Sequence, residues 1–409
     1  MADRATDDGH RQGAKSQSSN LTPRPRLSPR HAMLFRMLGI AVGLFAGWMV
    51  VEGLLWGLDL GGSRPLTKRY LRSDEDRSTD FHCYPSNPHG EFVPVPDVRR
   101  GGPWDYKNYM LPPRSVPLDR VDETPWCVEY KYSAQGLRDR EFSPFPPPGV
   151  LRIAAVGDSF VFGEGVPVER TLSRQMQSLL GERYEVMNCG RVGADNEFEL
   201  RLLLTVTSTF HCNRVIFSFL VNDVKLTPEL EKQQAYINDL IIIRDEAAEK
   251  QSHGGKSLFR LPSMIRNFLT MRNVTSQTIQ WYLDSYDPRY NATNLAKLEK
   301  QIHLLGRIPG VRVAFVIYPL LEGLEKEYPL AAVHAKVAAL AKAAGLPVLD
   351  LAPAFAGQKS SELWVHDTDH HPNGRAQAIA AQAIIDWLRR EHPDFLELPP
   401  VPEADQGEK

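Results

Sequence analysis

A chain of 409 residues with 48 basic and 50 acidic side chains carries a formal net charge of only −2. Its Lys and Arg residues are scattered, without runs or interleaved aromatics, so nothing in the charge pattern supports nucleic-acid binding and that class is set aside. With 42% hydrophobic and 24% charged residues, the chain has material for one sizeable globular core plus accessory segments.

The N-terminal end is unlike the rest. Met1 to His31 is polar and rich in Ser, Arg, Pro and Gln, which predicts a disordered tail over residues 1–32. Met37 to Leu60 is a long apolar stretch interrupted by Glu52, which predicts one transmembrane helix within residues 33–60. The alternative is a cleaved signal peptide. The stretch is long, starts late and is followed by no clear small-residue cleavage site, so a retained single-pass anchor is expected. Arg24, Arg26, Arg30 and Arg36 before it nearly balance Arg64, Lys68, Arg69 and Arg72 after it. Because short tails ahead of a first apolar segment commonly act as signal anchors, an extracytoplasmic C-terminal portion is favoured.

Residues 61–149 are rich in Pro, Arg and aromatics with little periodicity, the pattern of an irregular or β-containing membrane-proximal region. Trp126 to Tyr132 alternates enough for a strand, and Gln135 to Asp139 reads as a turn. Cys83 and Cys127 both lie in this region, where an export-compatible disulfide is feasible. Pro146-Pro147-Pro148 marks its end, since proline supplies no sheet donors.

Strand and helix patterns alternate beyond that point. Strands are predicted at Ile153–Val156, Glu185–Asn188, Val215–Leu220, Val311–Tyr318 and Pro347–Leu351. Helices are predicted at Leu172–Leu180, Glu197–Val206, Ala331–Ala344 and from about Pro372 to Glu391, with Pro372 in the first helical turn. The pattern predicts an α/β domain over residues 150–392, a parallel sheet covered by helices with its site at the carboxyl ends of the strands. Cys189 and Cys212 fall at opposite strand ends and are expected to be unpaired and buried.

Residues 225–307 interrupt this alternation. They hold a predicted helix at Pro228–Ala247, a Gly254-Gly255 break, an aromatic and basic stretch from Phe259 to Tyr290, and a helix near Ala292–Leu305. The segment could form a substrate wall or simply pack on a sheet edge. Its aromatic residues Trp281, Tyr282, Tyr286 and Tyr290 suit either a sugar site or a core. Residues 393–409 are proline-rich and acidic, a flexible tail.

Chemistry concentrates at four places. In Leu151 to Gly165 an apolar run stops at Gly157-Asp158-Ser159, delivering one serine to a tight turn. A serine hydroxyl becomes a nucleophile only beside a base in fixed geometry. That base is supplied by the Trp364 to Gly374 stretch, where His371 follows Asp369 by two residues and His370 follows Asp367 by three. Either pair lets a carboxylate orient an imidazole. Gly193 follows the second strand and Asn222-Asp223 follows the third, so the N–H groups of Ser159 and Gly193 and the Asn222 amide are candidate oxyanion donors. Asp158 and Asp223 are expected to bond nearby backbone. The remaining His and Cys residues show no ligand spacing, so no metal and no cofactor is expected.

Ser159, Gly193, Asn222 and His371, in that order at strand ends and closed by His-Pro-Asn, resemble the four blocks of the SGNH (GDSL-type) hydrolase family over roughly Leu151 to Leu388. The resemblance implies a three-layer α/β/α flavodoxin-like fold with a five-stranded parallel sheet. Two blocks depart from the family pattern. Leu220 stands where the family usually has glycine in Gly-x-Asn-Asp, and Thr368 stands three before His371 where it usually has aspartate. The literal Asp-x-x-His spacing falls on Asp367 and His370, whereas the His-Pro-Asn context favours Asp369 and His371, the preferred pair.

The resemblance further implies a membrane-anchored serine esterase that hydrolyses a carboxylic ester through an acyl-serine intermediate. Its partners would be the membrane and an ester substrate, such as an acetylated envelope or extracellular glycan or a lipid. Two alternatives use the same chain: a polysaccharide O-acyltransferase with the same triad, and a catalytically inactive glycan- or partner-binding protein.

Overall fold

The computed structural model describes residues 28–58, 69–72, 79–84, 115–116, 126–253, 259–366 and 369–400. Most of the expected N-terminal tail, the Gly254-Gly255 break, Asp367 and the last nine residues lie outside the described residues. The chain forms two compact units: Met1–Gly61 with Phe259–Leu261, and all the rest.

The first unit is dominated by α1 (Pro29–Gly57), whose start is capped by the Ser28 side chain accepting from the His31 N–H. Its 29 residues extend about 43 Å at 1.5 Å per residue, enough to cross a hydrocarbon core of about 30 Å. Apolar side chains point outward along the whole helix, including Leu34, Ile40, Leu44 and Val50. Glu52, the charge that interrupts the apolar run, is buried, and its carboxylate accepts from Trp48 Nε1 at 3.1 Å and from the Arg260 and Leu261 N–H groups at 2.7 and 2.9 Å. A carboxylate that accepts three hydrogen bonds recovers much of what dehydration costs it.

The second unit starts with four short strands, β1 (Arg69–Arg72), β2 (Thr79–Tyr84), β3 (Ser115–Val116) and β4 (Trp126–Lys131), in the order β3-β1-β2-β4. The antiparallel β2–β4 register sets Cys83 opposite Cys127. Val128 and Tyr130 of β4 are buried with Tyr132, Phe162, Val166 and Val365 in one apolar cluster.

The main sheet follows. Its strands are built in sequence with their helices: β5 (Leu151–Gly157), α2 (Ser159–Phe162), α3 (Leu172–Leu180), β6 (Tyr184–Gly190), α4 (Asn196–Thr209) and β7 (Arg214–Phe219). Then come α5 (Pro228–His253), α6 (Arg260–Ser285), α7 (Pro288–Leu305), β8 (Arg312–Ile317), α8 (Ala331–Ala343), β9 (Val348–Asp350) and α9 (Ala352–Phe355). A short pair, β10 (Trp364–His366) and β11 (Asp369–Pro372), precedes the last helix α10 (Gly374–Glu391). The five strands of the main sheet run parallel in the order β6-β5-β7-β8-β9, the flavodoxin-like arrangement.

Strands buried on both faces need apolar residues at every position rather than alternate ones. In β5, Ala154 and Val156 face the layer of α4, α7 and α8, while Ile153 and Ala155 face that of α3 and α10. The α10 side chains Ala380, Ala381, Ile384, Ile385, Trp387 and Leu388 are all buried. The larger of these stabilise by about 1.5 to 3 kcal/mol each on burial, which fixes the helix that follows β11. Within residues 225–307, α7 places Leu298, Ile302 and Leu305 in the core beneath the sheet, so it serves as the covering helix between β7 and β8. Cys189 and Cys212 are buried free thiols, and burial pushes the Cys212 thiol up to about 11.

Pro372 does not enter the last helix. It ends β11, paired across the ladder with Trp364, and Asn373 is the N-cap, its side chain accepting from the Arg375 and Ala376 N–H groups. An Asn side chain satisfies two orphan donors of the first turn, which proline cannot do.

Candidate active site

Ser159 owes its position to what surrounds its turn. β5 ends at Gly157, where a Cβ would lie 2.9 Å from the Ser218 carbonyl oxygen and 2.6 Å from Val161. Asp158 then caps α2, its carboxylate accepting from the Phe160 N–H at 2.9 Å. The chain leaves α2 through Gly163 and Gly165, with φ of 81° and 83°, a region that favours glycine. From outside the sheet, the buried Arg138 guanidinium donates to the carbonyls of Phe162 at 3.0 Å, Gly163 at 2.5 Å and Val166. The Tyr130 hydroxyl accepts from the Gly165 N–H at 2.6 Å. On the other side, Gln377 of α10 donates to the Phe160 carbonyl at 2.8 Å.

β11 brings the base. His371 Nε2 lies 2.8 Å from Ser159 Oγ, and its Nδ1 is in hydrogen-bond contact with Asp369 Oδ1. The Asp369 carboxylate also accepts from the His371 N–H at 3.2 Å, so one acid fixes both ring and backbone. With Nδ1–H directed at the carboxylate, Nε2 is left to accept the serine proton. Ser159 and Asp369 are buried and His371 is half-buried, open toward a cavity.

A second carboxylate reaches the same imidazole. Glu164, buried between Gly163 and Gly165, places Oε2 3.2 Å from His371 Nε2. The donor atoms of Glu164, Asp369 and His371 lie within 4.8 Å of one another, a spacing a metal ion could use. Those atoms already face one another across carboxylate–imidazole contacts. Asp158 also faces this group. Burial holds its carboxyl above the usual range, opposed by the Phe160 N–H and the nearby His371.

Asn222 lies beyond the end of β7, its amide 3.4 Å from Asp158 Oδ2, and lines the cavity beside Ser159. The substitution of Leu220 for the usual glycine is accommodated without a left-handed backbone. Leu220 is buried, its N–H donates to Asp223 Oδ2 at 2.6 Å, and its carbonyl accepts from the Asp223 N–H at 3.0 Å. Gly193 follows β6 with φ of 72° and open space where a Cβ would stand, so its backbone conformation rather than close packing calls for glycine. It does not line the cavity.

His370 points elsewhere. Its Nδ1 contacts Glu322 and its ring stacks on Trp364 with centroids 3.7 Å apart. Its neighbour in the alternative pair, Asp367, lies outside the described residues.

The cavity in front of Ser159 measures about 360 Å³. Phe160, Leu220, Val274, Ile279, Tyr282 and Leu330 make its apolar walls, while Asn222, Thr275, Thr278, Glu322 and His370 supply polar points. Thus α6 contributes directly to the site. Of the aromatics considered for a sugar site, only Tyr282 faces the cavity. Trp281 is buried and donates to the Leu230 carbonyl, and the Tyr286 hydroxyl donates to the Val221 carbonyl.

Three contributors escaped the sequence reading. Glu164 is a charged residue set between glycines in an otherwise apolar turn, a signal that could have been noticed. Arg138 sits in Arg138-Asp139-Arg140, where nothing distinguishes a buried guanidinium from a solvated one. Gly190 looks like any strand-end glycine, yet a Cβ there would lie 2.0 Å from the Phe162 nitrogen of α2.

Residues 155–379 match the profile of the GDSL-like Lipase/Acylhydrolase family. None of the curated proteins matches the chain. Among solved structures it is similar to a carbohydrate acetylesterase family member from Sinorhizobium meliloti, at 12% identity and TM-score 0.33, covering 60% of this chain and 99% of that one. It is also similar to a lipolytic protein of the G-D-S-L family from Veillonella parvula, at 13% identity and TM-score 0.32, covering 59% and 100%. A lipase/acylhydrolase from Enterococcus faecalis shows 16% identity and TM-score 0.32, covering 59% and 96%.

Proposed function

Because the chain belongs to the GDSL-like lipase/acylhydrolase family and is an ester hydrolase, we propose that it is a membrane-anchored serine esterase acting on esters of apolar acyl groups. The observation that carries this reading is the line Ser159 Oγ, His371 Nε2 and His371 Nδ1, Asp369 Oδ1 opening onto a largely apolar cavity.

In this mechanism Ser159 Oγ attacks the ester carbonyl as its proton passes to His371 Nε2. Asp369 keeps the ring oriented and stabilises the imidazolium. The Ser159 N–H and the Asn222 amide, both at the cavity, face the tetrahedral oxyanion. His371 then gives its proton to the leaving alkoxide, leaving an acyl-serine. Water, deprotonated by His371, attacks the acyl carbonyl and releases the acid and free serine.

The lining supports an acyl group longer than acetyl. An acetyl methyl would leave the walls from Val274, Ile279 and Tyr282 uncovered, whereas each added methylene buried there gains about 0.8 kcal/mol. Anchoring through α1 and an extracytoplasmic catalytic domain are part of the same proposal. The apolar length of α1 supports the anchor, exceeding the 7 to 15 residues of a signal-peptide core.

The test is fluorophosphonate labelling of the full chain and its Ser159→Ala variant, followed by p-nitrophenyl esters from two to twelve acyl carbons. Labelling confined to wild type, with kcat/KM rising beyond the acetyl ester, is expected. Unlabelled, folded wild-type protein would overturn the reading, and a preference for acetyl would overturn the acyl assignment alone. Resistance of the chain to carbonate extraction checks the anchor.

A further inference from the structure

His371 Nε2 has two neighbours competing for one proton position: Ser159 Oγ at 2.8 Å and Glu164 Oε2 at 3.2 Å. A neutral imidazole with Nδ1–H toward Asp369 would present its Nε2 lone pair to the Glu164 carboxylate, an unfavourable arrangement between two acceptors. A proton between them resolves it. We propose that Glu164 is a positioning residue of the proton relay, a second carboxylate that holds the Nε2 edge of His371 whenever that nitrogen is protonated. This inference rests on the serine-esterase reading above.

Two consequences follow, of opposite sign. In the resting enzyme, the proton shared by Glu164 and His371 must leave before Nε2 can accept from Ser159, which silences the nucleophile at acidic pH. Once Ser159 has attacked, the same carboxylate accepts a hydrogen bond from the new Nε2–H and steadies the imidazolium. No net proton is gained by Glu164. The proton taken from Ser159 Oγ as the Oγ–C bond forms leaves with the alkoxide as the ester C–O bond breaks.

The surroundings keep this carboxylate in place. The Glu164 N–H donates to the Ser159 carbonyl at 3.1 Å, and Arg138 clamps the carbonyls on either side of it, bringing a cation near the acid. Among the described residues, the charged groups facing His371 are Asp369 from β11, Glu164 from the loop after α2, and Asp158 at the α2 cap. The adjacent Glu322 is engaged by His370. Of these groups, Glu164 is the one that sits on the nitrogen that performs the transfer.

The pH dependence of the second-order rate of Ser159 labelling by a fluorophosphonate measures the base without requiring the natural substrate. Glu164→Gln keeps the shape and removes the charge. Its acid limb should move to lower pH by about one unit or more, the effect expected from removing an opposite charge within 4 Å, and its plateau should fall. Glu164→Asp, which keeps the charge, should retain most of the wild-type limb and serves if the Gln variant fails to fold. An unmoved acid limb in folded Glu164→Gln would overturn the proposal while leaving the serine-esterase reading intact. Absence of labelling in wild type at every pH would remove that reading itself. Loss of wild-type labelling to a metal chelator would also overturn the proposal, by giving the carboxylate another occupation.

Discussion

Gly190→Ala tests how the sheet fixes the nucleophile. The added Cβ would stand 2.0 Å from Phe162 N, 2.5 Å from Val161 C and 2.6 Å from Phe162 Cα, all backbone of the single turn that carries Ser159. Relief to ordinary contact needs roughly 1.5 Å of separation, given carbon contact distances of about 3.5 Å. α2 cannot yield freely, since the carbonyls of Phe160 and Phe162 are held by Gln377 and Arg138. Overpacking costs of about 1 to 3 kcal/mol are usual, and a clash with pinned backbone belongs at the upper end, about 3 kcal/mol. A shift of about 1 Å at a reacting group can itself cost about 10² in rate. Gly193→Ala separates space from conformation: nothing lies within 4 Å of its Cβ, but φ is 72°, so about 1 to 2 kcal/mol of left-handed strain is expected there. Urea unfolding and p-nitrophenyl hexanoate turnover measure both quantities. Gly190→Ala with stability within about 0.5 kcal/mol of wild type, on the scale of a neutral surface change, and with unchanged turnover would refute the packing argument.

Asn222→Ala should lower kcat by about 10² to 10³ with little change in KM, the loss expected for one oxyanion donor, measured with the same ester. An equal effect on KM and none on kcat would assign Asn222 to substrate binding. Glu199 of α4 is buried, and its carboxyl is held well above the usual range, chiefly by burial and then by Asp223 and Asp158. Both its oxygens lack a hydrogen-bond partner among the described residues. A raised folded value means that the stability this group contributes is fully present below the ordinary carboxylate range and is lost as pH rises toward the raised value. Wild-type Tm should therefore fall more steeply than that of Glu199→Gln as pH rises above about 5, past the ordinary glutamate range; parallel slopes would refute the assignment. A smaller slope should persist in the variant, because burial and Asp158 also raise Asp223.

The strands of the main sheet were legible because burial on both faces forces continuous apolar runs, as in Ile153 to Val156 and Val215 to Phe217. Ser159 was legible for a related reason, since it follows a strand end, where side chains are aimed rather than packed; Asp369 and His371 were expected just before the last helix, and they lie in β11. The start of α10 was misread because Pro372 suits both a first helical turn and a strand end, and only the ladder with Trp364 decides between them. The cavity wall from α6 could not be read, since Val274, Ile279 and Tyr282 keep the same helical spacing whether they meet a core or a substrate. The guanidinium at 138 acts through the tertiary approach of distant segments, which local pattern does not encode, whereas the carboxylate at 164 was marked locally by the glycines on either side of it.

The clamp from Arg138 has a consequence for how this fold can be inherited. Arg138 lies before the triple proline that looks like a natural seam, yet it holds the turn carrying the nucleophile. A cassette cut at that seam would carry the sheet, the serine and the histidine, but the Phe162 carbonyl would keep only Asn188, the Gly163 carbonyl only the Val166 N–H, and the Val166 carbonyl would lose its guanidinium donor. The stretch ahead of the triple proline is therefore tied to the hydrolase by more than a peptide bond, and exchange of one part for a relative's would have to bring the other with it.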